Sequence, residues 1–172
     1  MEHATTNGTE LAYATAGTGE PVVCIHGAFI ADSFRPLLVE PSLVNRYWLI
    51  LYHRRGYAGS SPAAEPLSIS RQAADCRAVL QHLGIDRAHV VGHSSGGAIA
   101  LQLALDSPDV VHSLAVLEPA LLVGASGRRW YGAGSATGTW EPQPWWTSSS
   151  RHGRRNTAQP WTVCCRADSR RP

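Results

Sequence analysis

Up to Val123 the hydrophobic and polar positions alternate between two patterns, and beyond it they follow neither. Thr5-Thr6-Asn7-Gly8-Thr9 places Asn-Gly between short β-prone stretches, which predicts a tight hairpin whose second strand is Leu11–Thr15. Gly17 to Gly19 then turns the chain. Pro21–Ile25 and Tyr47–Tyr52 are short, fully apolar runs of the kind expected of strands covered on both faces, with a short helix around Phe34–Val39 between them. From Ser68 the period changes. Ile69, Ala73, Cys76, Leu80 and Leu83 trace one face of a helix, for which Ser68 suits the N-cap and Gly84 the C′ position. Ala88–Val91 reads as a strand, Gly96–Leu105 as a nearly all-apolar buried helix, and Val111–Leu117 as another strand. Strands alternating with helices predict the α/β class: a doubly wound, mostly parallel sheet with flanking helices.

Composition divides the chain at the same place. Residues 124–172 hold no Leu, Ile, Met or Phe and a single Val, yet five of the six Trp and eight of the fifteen basic residues, all of which are Arg. Residues 1–123 carry seven Arg against eleven acidic residues, net −4, and residues 124–172 carry eight Arg against Glu141 and Asp168, net +6. The second segment cannot build a core of its own and reads as an irregular basic tail. Arginines among tryptophans would suit nucleic acid, but no nucleic-acid-binding motif accompanies them, so a solvated segment is the reading and no nucleic-acid partner is expected. The four Cys form neither a disulfide framework nor spaced zinc ligands, so no metal and no cofactor are expected. No signal peptide or membrane-length apolar run is present, and a soluble cytoplasmic protein is the expectation.

The chemistry concentrates in Val90-Val91-Gly92-His93-Ser94-Ser95-Gly96-Gly97, where a strand meets G-x-S-x-G and runs directly into an apolar helix. Such an elbow holds its serine in a strained backbone conformation, and side chains at Gly92 or Gly96 would collide with neighbouring backbone. Ser94 is therefore the candidate nucleophile, near a helix N-terminus that favours developing negative charge. Ser95 is a rival, but one of its two flanking glycines is missing. A Ser-Gly turn serving packing alone is the alternative. A second element, Ile25-His26-Gly27-Ala28-Phe29, ends a strand in His-Gly. Backbone N–H groups of Ala28 and Ser95 are the candidate oxyanion hole, and plain strand termination is the alternative for the His-Gly pair.

With His26-Gly27, the loop His53-Arg54-Arg55-Gly56-Tyr57-Ala58-Gly59-Ser60-Ser61, and Gly92-His93-Ser94-Ser95-Gly96-Gly97 in this order, residues 1–123 resemble the amino-terminal part of an α/β-hydrolase of the serine-nucleophile, esterase-like branch. The loop is similar to the family's Asp-x-Arg-Gly-x-Gly-x-Ser. His53 stands where Asp is common, a departure assigned to local packing more than to chemistry. The resemblance implies an incomplete α/β-hydrolase fold over 1–123, and a hydrolase acting on an ester or related acyl bond of a small molecule through an acyl-enzyme at Ser94. Related dehalogenases and epoxide hydrolases use an elbow Asp, and serine argues against both chemistries.

The family's later acid and its terminal base histidine find no clear counterpart. Glu118, after the strand Val111–Leu117, is the candidate acid, and an ordinary loop glutamate is the alternative. Among the histidines, His93 is expected to point away from the hydroxyl, His26 to support the oxyanion loop, His82 to lie off the apolar helix face and His112 to start a strand; His152 has no family-like surroundings. Impaired turnover through loss of the triad histidine is therefore expected, the alternative being an inactive truncated fragment. A frameshift or truncation near Gly124 would account for the composition change, and would leave the strand Val111–Leu117 as an open edge.

Overall fold

The structure, a computed structural model, describes residues 1–63 and 67–121 together with the backbone of 163–166. The hairpin forms as predicted: β1 (Glu2–Thr6) and β2 (Thr9–Ala16) pair antiparallel around Asn7 and Gly8, both of which take positive φ, 47° and 68°. This is the geometry that makes Asn-Gly the preferred hairpin turn. β3 (Glu20–Ile25), β4 (Tyr47–Tyr52), β5 (Ala88–His93) and β6 (Val111–Leu117) follow. The sheet order is β1-β2-β4-β3-β5-β6-β7, parallel from β4 through β6 and antiparallel at both margins.

The parallel strands bury both faces, with alternate side chains going to different layers. Val23, Ile25, Ile50, Tyr52 and Val90 join the larger core beneath α2 (Ile69–His82) and α3 (Ser95–Asp106). Cys24, Leu49 and Leu51 form a smaller core with Phe34, Leu37, Leu38, Leu43 and Val44, from a 3-10 turn at Arg35–Val39 and the short α1 (Pro41–Val44). The apolar runs are thus two interleaved period-2 patterns. Helix α2 begins and ends where its sequence predicts. The Ser68 hydroxyl accepts from the Arg71 N–H at 3.1 Å, and Gly84 takes φ +69°.

Two expectations are corrected. Helix α3 is not buried all round, since Leu105 is 78% exposed: Gly96, Ile99, Ala100 and Leu103 are buried, while Leu101 and Ala104 are partly buried against the core. Nor is β6 an open edge. A four-residue strand β7 (Val163–Arg166) pairs antiparallel with it, from Ser113↔Arg166 to Val116↔Val163. An unpaired apolar edge is a template for any segment able to extend, and Val-Cys-Cys is such a segment. The remainder of the 124–172 tail lies outside the described residues.

Because β3 is followed by β4 on one side and, after α2, by β5 on the other, the strand order reverses at β3. In open α/β sheets the crevice beyond the carboxyl ends of the strands at such a switch point is where ligands bind. The loop after β4 is held to this frame by a buried ion pair. Arg55 donates to Asp75 of α2 through Nε (2.9 Å) and Nη2 (2.8 Å), and Asp75 is 1% exposed. Removing one partner leaves the other charged and desolvated. Asp75→Ala should therefore cost about 3–5 kcal/mol of stability, and Arg55→Met/Asp75→Leu clearly less, both read as denaturant midpoints.

Candidate active site

Ser94 stands between β5 and α3 with φ 53° and ψ −120°, a backbone conformation that L-residues avoid. Hydrogen bonds enforce it. The Ser94 N–H donates to the Leu117 carbonyl at 2.9 Å, and its own carbonyl accepts from Gly97 (2.9 Å) and Ala120 (2.9 Å). The elbow is therefore gripped by α3, the end of β6 and the segment leaving it. The glycines do what the motif requires of them. A Cβ on Gly92 would stand 2.5 Å from the Gly96 carbonyl oxygen; one on Gly96 would overlap the Ile25 carbonyl oxygen and come within 2.6 Å of that of His26. The first turn of α3 thus packs backbone against backbone on the end of β3. Ser94 itself is half-buried, outside the packed interior.

The loop after β3 lies directly beside it. A Cβ on Gly27 would be 3.3 Å from the Ser94 Cβ and 3.1 Å from Nδ1 of His93, so this loop is pressed against Ser94 and the His93 imidazole. Ala28 follows, half-buried, and its N–H makes no hydrogen bond among the described residues. Ser95 is the first residue of α3, and its N–H precedes the helical ladder, which starts with Gly97 and Ala98 returning to the Ser94 carbonyl. The side chain of Ser95 is buried, and its hydroxyl has no partner among the described residues.

His26 braces the loop. Its ring is 1% exposed; the Arg54 N–H donates to Nε2 at 3.0 Å, so the proton sits on Nδ1, which donates to the Gly27 carbonyl at 2.7 Å. Burial pushes its pKa down to about 3, with the nearby Arg54 charge adding to the effect. Arg54, also buried, donates Nη2 to the same Gly27 carbonyl (3.0 Å) and Nη1 to Gln72 of α2 (2.8 Å), while its guanidinium lies 4.4 Å from the Tyr57 ring centroid. The part played by Arg54 and Gln72 has no sequence signal, because the two meet only when α2 docks beside the β4 loop.

Glu118 follows β6 directly, at a positive φ of 46°, exposed. It is close to the elbow through its neighbours Leu117 and Ala120, but its carboxylate makes no hydrogen bond among the described residues. No described histidine bonds the Ser94 hydroxyl. His3 meets Glu10 on the hairpin, His82 packs on Tyr13, His53 bonds Asp32 and Gly59, and His89, met edge-on by His112, bonds Ser113 and Glu20 at the amino ends of the strands. His152 lies outside the described residues. Among the described residues no group of His, Cys, Asp and Glu could hold a metal ion, and no helix is long and apolar enough to cross a membrane.

Residues 20–143 match the family model described as the alpha/beta hydrolase fold. The chain is 39% identical over 107 residues to a fluoroacetate dehalogenase of Burkholderia sp, covering 59% of this chain and 35% of the relative. It is 33% identical over 112 residues to a soluble epoxide hydrolase of Corynebacterium sp. (strain C12), covering 65% and 39%. Among solved structures, Est816, an N-acyl homoserine lactone degrading enzyme, superposes with a TM-score of 0.64 at 29% identity, over 77% of this chain and 53% of that one. The chain spans well under half the length of these two curated relatives.

The buried His26 makes stability depend on pH. An unfolded histidine binds its proton near pH 6.5, whereas folded His26 stays neutral down to about 3. The unfolded state therefore binds more protons between these values, and the contribution, complete above about pH 6.5, is lost progressively as pH falls through that window. The lowered carboxyls of Glu20 and Asp32 act in the same direction, but only below about 4.5. Urea midpoints should fall between pH 6.5 and 4.5, and the fall should be shallower in His26→Asn.

Proposed function

The chain belongs to the alpha/beta hydrolase fold family, and from that premise we propose that Ser94 is the nucleophile of a hydrolase acting on an ester or related acyl bond of a small molecule. The observation that carries this reading is the strained serine at the end of β5 with two N–H groups, of Ala28 and Ser95, that are unengaged among the described residues. The Ser94 oxygen attacks the acyl carbon, the carbonyl oxygen takes the negative charge and is met by those two amides, and the alcohol leaves with a proton. Water then cleaves the acyl-enzyme, releasing the acid and restoring the hydroxyl. The dehalogenase and epoxide hydrolase names of relatives point to alkyl transfer, but an alkyl-enzyme needs a carboxylate at the elbow, and residue 94 is serine.

The exposed Phe29 and Ile30, directly after Ala28, and Leu121, next to Ala120, favour an apolar group on the substrate. Neither a metal nor a cofactor is part of this reading. In this reading Glu118 is the carboxylate that would orient a base histidine. A second reading rests on one observation: every described histidine but His93 is engaged elsewhere, and none reaches Ser94. On that reading the chain is an inactive, partial hydrolase, because an unassisted serine falls on the order of 10⁶ short of a complete triad.

Hydrolysis of a p-nitrophenyl ester, compared between the wild type and Ser94→Ala, tests the two. Under the enzyme reading the variant loses the burst of p-nitrophenol and the acyl adduct seen by mass spectrometry at Ser94. Equal rates and no adduct support the inactive one.

A further inference from the structure

The loop His53–Ser61 departs from the pattern it resembles at its first residue, and the structure gives that departure a partner. His53 is 6% exposed, and both its ring nitrogens are engaged. The Gly59 N–H donates to Nδ1 at 3.1 Å. A backbone N–H can only donate, so Nδ1 carries the lone pair and the ring proton is on Nε2, which donates to Oδ1 of Asp32 at 3.2 Å. Asp32 lies in the loop that starts at Gly27 and contains Ala28. Its carbonyl accepts from the Arg35 N–H at 2.9 Å and its carboxylate also meets the Arg35 guanidinium at 3.4 Å, so it forms the far end of that loop. The near end is fixed at Gly27 by His26 and Arg54.

We propose that His53 and Asp32 form a clasp that positions the oxyanion loop, with His53 joining its far end to the loop after β4 and leaving Ala28 suspended between two anchors. The inference rests on the reading of Ala28 as an oxyanion donor. His53 and Asp32 are positioning residues and touch no reacting atom. The pair is matched. A carboxylate at position 53 would still accept the Gly59 N–H but would repel Asp32, whereas imidazole accepts on one nitrogen and donates on the other. The hydrogen bond from His53 is the leading reason why the Asp32 carboxyl is held below its ordinary pKa.

Three variants of the full chain test the clasp: Asp32→Ala, His53→Asp, and His53→Asp/Asp32→Asn, in which an amide can again donate to a carboxylate. Hydrogen exchange of the 28–35 amides should rise roughly three- to tenfold in the two single variants, the worth of one partly exposed hydrogen bond, and return to within about twofold of wild type in the double variant. The rate of Ser94 labelling by an alkyl fluorophosphonate should fall and recover in parallel. Asp32 is half exposed, so Asp32→Ala keeps the test alive if His53→Asp fails to fold. Unchanged exchange in Asp32→Ala overturns the clasp, as does a nitrogen NMR spectrum placing the neutral ring proton on Nδ1. Raised exchange with an unchanged labelling rate overturns the positioning role. If the exchange responds as expected but wild-type Ser94 is never labelled, the clasp stands and the acyl-transfer reading falls.

Discussion

Everything at the carboxyl end of this sheet depends on how closely α3 approaches β3. Because Gly96 has no side chain, its Cα sits against the carbonyl oxygens of Ile25 and His26, and because Gly92 has none, β5 can pass beneath that same turn. A methyl group at either position would push the helix outward, and with it the N–H groups at its start. The approach also fixes Ser94. Its φ of 53° costs on the order of 1–3 kcal/mol, offset by hydrogen bonds to Leu117, Gly97 and Ala120 that only this packing provides.

Around that contact the protein buries several polar and charged side chains. His26, His53, Arg54, Arg55, Gln72 and Asp75 are all nearly inaccessible. Several of their bonds join separate segments: the β4 loop to α2 through Arg55–Asp75 and Arg54–Gln72, and the β4 loop to the β3 loop through Arg54–Gly27 and His53–Asp32. Irregular backbone cannot satisfy itself as a helix or strand does, so charged side chains serve as its cross-braces. The outcome is a loop held from several sides next to Ser94, and on the proposed reading that bracing is the preorganisation an oxyanion site needs. The exposed Phe29 and Ile30 lie on this braced segment.

Much of this was legible in the residues. The periods of two and 3.6, the Asn-Gly turn, the Ser68 and Gly84 caps and the strand-Gly-x-Ser-x-Gly-helix order are local signals, and each produced the element it implied. Two expectations fail for one reason. Leu105 is apolar but exposed, and β6 is paired by a segment whose composition suggested no order. Whether an apolar position finds cover depends on what packs nearby, which a window of the sequence cannot contain. The partner of His53 across the loops, Asp32, has no local signal because it is 21 residues away along the chain.

The sequence by itself determined where strands, helices and the elbow fall, and which hydroxyl is held at the bend, because those follow from backbone sterics and side-chain periodicity within a few residues. The tertiary structure alone decided which polar groups meet: that His26 is neutral and faces Gly27, that Arg54 reaches Gln72, that His53 joins two loops, and that no described histidine reaches Ser94. Hydrogen bonds are directional and short, so the identity of a partner is set by how the chain folds back on itself and not by the order in which its residues occur.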